Sequence, residues 1–240
     1  MNISMRKINA IFILRLQLTL KNFSLLMAPL MAIGYVIAFK NFFPSNLITI
    51  RTLTLNMGIV LNITMGGIMF GSYPLAEEKE HHTLRVLMTS SVNAVEYFIG
   101  TLLPALLILT LTSIILVPLS GTSWQQISIV NYLIITTICT IISILVGFTV
   151  GIFSRNQTSA GVLSLLPTII FTFIPMFKGF NKTISTISDF LYSGIITKFI
   201  NQSLLKHNFI WSISDISVLI IWFIIFSVVL IYAYRYKRFD

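Results

Sequence analysis

An all-α membrane protein with six transmembrane helices is the fold class this sequence predicts, on three observations. Its 240 residues are 56% hydrophobic with a mean hydropathy of +0.92, above the ~45–50% apolar usage of soluble domains. The apolar residues gather into six blocks of roughly 17–25 residues, the length that crosses a hydrocarbon core of about 30 Å. Charged residues make up only 10% of the chain and stand at the ends of the blocks.

The net charge of +9 suits anionic lipid headgroups, because the cations flank apolar blocks instead of forming one basic face, and no nucleic-acid partner is expected. Cys139 is the single cysteine and lies inside an apolar block, so no disulfide within the chain is possible and its natural role is packing.

Residues 1–240 are read as one transmembrane domain. Residues 1–22 interleave Arg6, Lys7, Arg15 and Lys21 with Ile8, Ile11, Phe12, Leu16 and Leu20, the pattern of an amphipathic helix lying in the headgroup layer. The next block ends in Ala38-Phe39-Lys40 without a small-x-small cleavage site, so the segment is expected to be retained. Span one is placed at about 23–39, with Pro29 and Gly34 inside it, and span two at about 53–76, with Gly67 and Gly71 in a G-x-x-x-G spacing that permits close helix approach. Span three is placed at about 97–120 and span four at about 129–153, which repeats the G-x-x-x-G spacing at Gly147 and Gly151. The turn Ser154-Arg155-Asn156-Gln157 leads to span five, about 160–177, interrupted by Pro167 and Pro175. From Lys178 to Asp215 charges punctuate apolar residues at helical intervals, a segment too polar to span and too apolar for a free loop. Short helices lying on, or dipping re-entrantly into, the outer membrane face are expected there. Span six, about 216–234, ends in Arg235, Lys237 and Arg238.

With both termini on one side, that side carries ten of the sixteen Lys and Arg residues, which places the termini in the cytoplasm. On the same side lies a polar island, Glu77 to Ser91, between spans two and three. Leu84, Leu87, Met88 and Ser91 recur there at offsets of three and four, while Glu80, Arg85 and Thr89 fall elsewhere around the turn. A short amphipathic helix at the membrane edge is the expectation.

No catalytic constellation assembles from these residues. The chain has no G-x-x-x-x-G-K-[ST] phosphate loop, no H-E-x-x-H pair and no acid or His deep in any block, so no catalytic residue and no resident cofactor are expected. His81 and His82 beside Glu78 and Glu80 hint at a metal, but adjacent residues on a helix point apart, and solvated polar residues are the simpler reading. A proton-driven transporter needs titratable groups along its path. Any energy for transport must therefore enter from outside the chain, and the island is the surface able to receive it.

The island, from Glu78-Lys79-Glu80 through Thr83-Leu84 to Leu87, together with the Ser154-Arg155-Asn156-Gln157 turn, resembles the membrane permease subunits of ABC-2-type ATP-binding-cassette exporters. The family often has Gly before the Thr-Leu pair, Pro near Ser91 and Lys near Thr101, where this chain differs. The resemblance implies a permease without its own ATPase, paired with a second permease, identical or homologous, and with two ABC ATPase subunits that bind ATP and Mg. It makes the island a coupling helix whose contacts are Glu77, Glu78, Glu80, Thr83, Leu84, Arg85, Leu87 and Met88, an apolar ridge with charges at its rim. The alternative is a loop helix that only caps the bundle.

The resemblance also puts spans two and five along the dimer interface and substrate path, with Asn56, Asn62, Thr64, Met65, Thr168, Thr172 and Met176 as lining candidates; hydrogen bonding between helices is the competing role for each buried Asn and Thr. Met and Phe surfaces adapt to apolar or amphipathic cargo. Chains of this size are similar to permeases for antimicrobial-peptide immunity and for export of phenol-soluble modulins, which implies peptide cargo and the bacterial plasma membrane, with lipid as the surrounding partner. The rival classes are a six-span intramembrane enzyme and a passive channel.

Overall fold

The computed structural model describes residues 5–43, 47–81, 94–179, 181–205 and 209–236, and every long element among them is a helix. Helix α1 is Met5–Lys21, α2 Phe23–Phe42, α3 Ile48–Glu80, α4 Ala94–Leu119 and α5 Ile129–Phe153. They are followed by α6 (Gln157–Met176), α7 (Lys182–Asp189), α8 (Tyr192–Leu205) and α9 (Ile213–Tyr236). Helices α2, α3, α4, α5, α6 and α9 are long and apolar enough to cross a membrane, which marks a multi-pass membrane protein.

Helix α5 has the boundaries expected from hydropathy, whereas α3 extends beyond its apolar block at both ends. Helices end where hydrogen bonds and caps end them. Helix α6 starts early because Asn156 caps it: its Oδ1 accepts from the Ser159 amide at 2.8 Å while Ser159 Oγ accepts from the Asn156 amide at 3.1 Å, a reciprocal capping box. The last turn of α3 is polar and stays helical because its charges find partners in the bundle, described below. Midway, α3 widens into a π-helical turn at Asn62–Gly66.

The bundle is centred on α3 and α5. About 78% and 67% of their spanning windows are buried inside the chain, against 17–39% for the other four spans. Both G-x-x-x-G pairs lie at this one contact. A Cβ on Gly71 would stand 2.4 Å from the Ile144 carbonyl oxygen, and one on Gly147 would stand 2.3 Å from that of Ile68, so only glycine lets these backbones touch. Two apolar clusters flank the contact. One gathers Phe70, Tyr97, Leu109 and Phe148 towards the polar end of α3, and the other gathers Ile59, Tyr132, Tyr192 and Phe199 towards α8.

Helix α1 packs on α4 through Ile8 and Ile11, with Gly100 admitting Ile11 closely. Arg15 and Thr19 continue the buried face, which corrects the expectation that Arg15 serves the headgroup layer: its side chain is turned into the protein. Asn22 alone separates α1 from α2; its Oδ1 accepts from the Ser24 amide at 3.1 Å and caps α2.

Between spans five and six, α7 and α8 form a corner. The α8 residues Tyr192, Ile195, Ile196, Phe199 and Ile200 are buried. Ser143 Oγ and the Tyr192 hydroxyl share a hydrogen bond of 2.8 Å, and the Lys198 ammonium donates to both carboxylate oxygens of Asp215, at 2.7 and 2.9 Å, so α8 is fastened to α5 and to the start of α9. Burial pushes the Tyr192 hydroxyl above its ordinary pKa and keeps it neutral.

Candidate functional site

Four consecutive residues, Glu77, Glu78, Lys79 and Glu80, form the last turn of α3. Successive helix residues are turned by about 100°, so four of them reach in every direction around the axis. Each finds a different neighbour.

Glu77 accepts from Asn22 Nδ2 at 3.4 Å, which ties the end of α3 to the α1–α2 corner. Glu78 pairs with the Arg15 guanidinium and accepts from the Tyr97 hydroxyl, while Arg15 also donates to the Tyr97 oxygen at 2.9 Å. The Arg15 and Glu78 side chains are 7% and 13% exposed and Tyr97 is fully enclosed, so the triangle joins α1, α3 and α4 out of water's reach. Charge-assisted bonds in so dry a site are strong individually, and losing one partner strands the other. Close by, Glu96 at the start of α4 is buried and stands 4.0 Å from Lys7 of α1.

Lys79 donates to the Gly151, Ile152 and Ser154 carbonyls at the end of α5, the Gly151 and Ser154 bonds at 3.3 and 2.8 Å. Glu80 accepts from the Gln157 amide, the first residue of α6, at 3.2 Å. A cation therefore sits on the carbonyl end of one helix and an anion on the amide end of the next, both matched to the local dipole. Together they clasp the Ser154-Arg155-Asn156 turn. The end of α3 is thus bonded to α1, α4, α5 and α6 and to the α1–α2 corner.

Of the residues assigned to coupling, Glu77 is half-buried and Glu78 largely buried, both bonded within the chain, and Glu80 is exposed and bonded to α6. Thr83, Leu84, Arg85, Leu87 and Met88 lie outside the described residues. Sequence reasoning overlooked Arg15, Lys79 and Tyr97 as members of the junction. A signal for Arg15 was present, since Ile8, Ile11, Arg15 and Thr19 share one helical face; the reach of Lys79 to α5 had none.

The residues assigned to the substrate path divide into four groups. Asn62, on the π turn, donates to the Leu109 carbonyl at 2.9 Å and to Ser113 Oγ at 3.0 Å, facing α4. Thr64 and Thr172 share a hydrogen bond of 2.6 Å and are both buried, fastening α3 to α6. Asn56 and Met176 border a cavity of about 100 Å³ between α3, the end of α6 and α8, where Asn56 Nδ2 donates to Asn201 Oδ1 at 2.8 Å. Met65 and Thr168 are half-buried elsewhere on α3 and α6. In the single chain Asn56, Asn62, Thr64 and Thr172 serve contacts between helices, and Asn56 with Met176 opens onto space.

Among the described residues no three His, Cys, Asp or Glu side chains are placed to hold a metal. No protein-family model matches the chain, and no curated protein matches it.

Proposed function

We propose that this chain is the permease subunit of an ATP-driven exporter of the ABC-2 type, moving hydrophobic or amphipathic substrates, peptides foremost, out of a bacterial cell while a separate subunit hydrolyses ATP. The observation that carries the proposal is the junction at Glu77–Glu80. A segment that receives force from a partner has to pass it to the spans, and the last turn of α3 is bonded to four other helices immediately before that segment begins. The island from Thr83 to Met88 is the docking element. The excess of positive residues on the junction's side supports cytoplasmic termini, with α1 as the interfacial helix that seats the junction at the headgroup level. Helices α7 and α8 close the opposite face.

The test is assembly. Expressed with its neighbouring reading frames and extracted in mild detergent, the chain is expected to carry an ATP-binding-cassette subunit in stoichiometric amount, and ATP-dependent peptide uptake into inside-out vesicles should require it. Repeated purification without such a subunit would sink the proposal. Changing both Leu84 and Leu87 to Glu should release the ATPase and abolish transport while insertion persists; export at the unaltered rate excludes the coupling role.

A further inference from the structure

Between α5 and α9, towards the end of the bundle where α7 and α8 lie, the surface is indented by a groove of about 650 Å³. Ile134, Ile138 and Ile141 of α5 form one wall, Leu219, Ile220 and Phe223 of α9 the other, and Trp211 stands at one end. Apart from Trp211 every lining residue is aliphatic or phenyl, and the Trp211 indole N–H is already given to Asn131 Oδ1 at 3.1 Å. The groove therefore asks nothing of a guest in hydrogen bonds. It lies between two membrane-spanning helices, where the surrounding solvent is hydrocarbon. Water does not fill an apolar cleft of this kind, and an empty one forfeits dispersion contacts along both walls.

We propose that the groove is a binding site for one acyl chain of a bilayer phospholipid. Its shape supports a chain. Ile134, Ile138 and Ile141 follow at intervals of four and three residues, a single ridge about 10 Å long at 1.5 Å per residue, and Leu219 and Phe223 repeat that interval on α9, so the space is a trough running along both helices. Its polarity gives the guest a direction. The indole of Trp211, with its nitrogen bonded and its ring against the groove, is the amphipathic side chain that settles at headgroup level, so the headgroup lies at the Trp211 end and the chain runs inward past Phe223. The packing of α9 gives the site a purpose. Only 17% of its spanning window is buried within the chain, the least of the six spans, and Ile220 and Phe223 stand exposed in the groove. A bound acyl chain covers them. A second copy of this chain would offer a broad helix face, a poorer fit to a trough.

Native mass spectrometry of the whole chain released from mild detergent tests the site. The wild type is expected to retain one phospholipid per chain, Ile138→Trp or Ile220→Trp to lose it, and Leu166→Trp, on the exposed face of α6, to keep it. Where a groove variant fails to fold, fluorescence decides. With Trp124 and Trp222 changed to Phe, Trp211 should stay quenched after reconstitution with phospholipid brominated on its acyl chain and exhaustive washing into detergent. Full recovery of emission, lipid retention unchanged by Ile138→Trp, or a dimer lost in that variant in place of a lipid would each overturn the proposal.

Discussion

Taking an arginine and a carboxylate out of water costs several kcal/mol for each, repaid only when the geometry is good and the remaining donors are met. Arg15 and Glu78 meet that condition through Tyr97. Arg15→Ala should leave Glu78 as an uncompensated buried charge and cost about 3–5 kcal/mol. Pairing it with Glu78→Gln should recover much of that loss, and thermal unfolding of the two variants in detergent measures the difference; equal losses would mean the two residues are not coupled. The sequence announced Glu78 as charge in an unusual place but not the direction of its side chain. One cation among four on a mostly apolar helix looks like a headgroup contact, and only the alignment of Arg15 with Ile8 and Ile11 distinguishes it.

The paired glycines of α3 and α5 separate what spacing can tell from what it cannot. Hydropathy located all six helices that are long and apolar enough to cross a membrane, because block length and apolarity are properties of the local sequence, and G-x-x-x-G announced two helices able to pack closely. That the two motifs pack on each other is a tertiary fact, absent from either. Gly71→Ala should drive a Cβ into the Ile144 carbonyl and spoil the bundle, read as loss of a monodisperse peak in size-exclusion chromatography. Gly34→Ala, where nothing lies within 4 Å, should be tolerated and gain about 0.5–1 kcal/mol of helix stability. The clasp on the α5–α6 turn makes a separate prediction. Lys79→Ala frees the carbonyls of Gly151, Ile152 and Ser154, so amide hydrogen exchange across residues 150–157 should quicken while the rest of α5 holds its protection.

For the molecule as a whole, the arrangement is a bundle with two central helices and four peripheral ones, gathered at one end by the last turn of α3 and at the other by α8. A displacement of that turn cannot remain local, since Arg15, Tyr97, the α5 carbonyls and the α6 amide end are all bonded to it. The π turn at Asn62–Gly66 sets the phase of this linkage. A wide turn holds one residue more than an α-helical turn, so everything after it stands about 100° behind where an uninterrupted α-helix of the same sequence would place it. Removing a single residue there would let α3 run as an uninterrupted α-helix with Gly67, Gly71 and Glu77 to Glu80 still facing their partners, whereas straightening the turn without a deletion would swing them a quarter-turn and more away. The irregularity is therefore the indexing notch of the helix: it lets one face of Ile48–Leu61 meet α8 while the appropriate face of Gly67–Glu80 meets α5, in one rod.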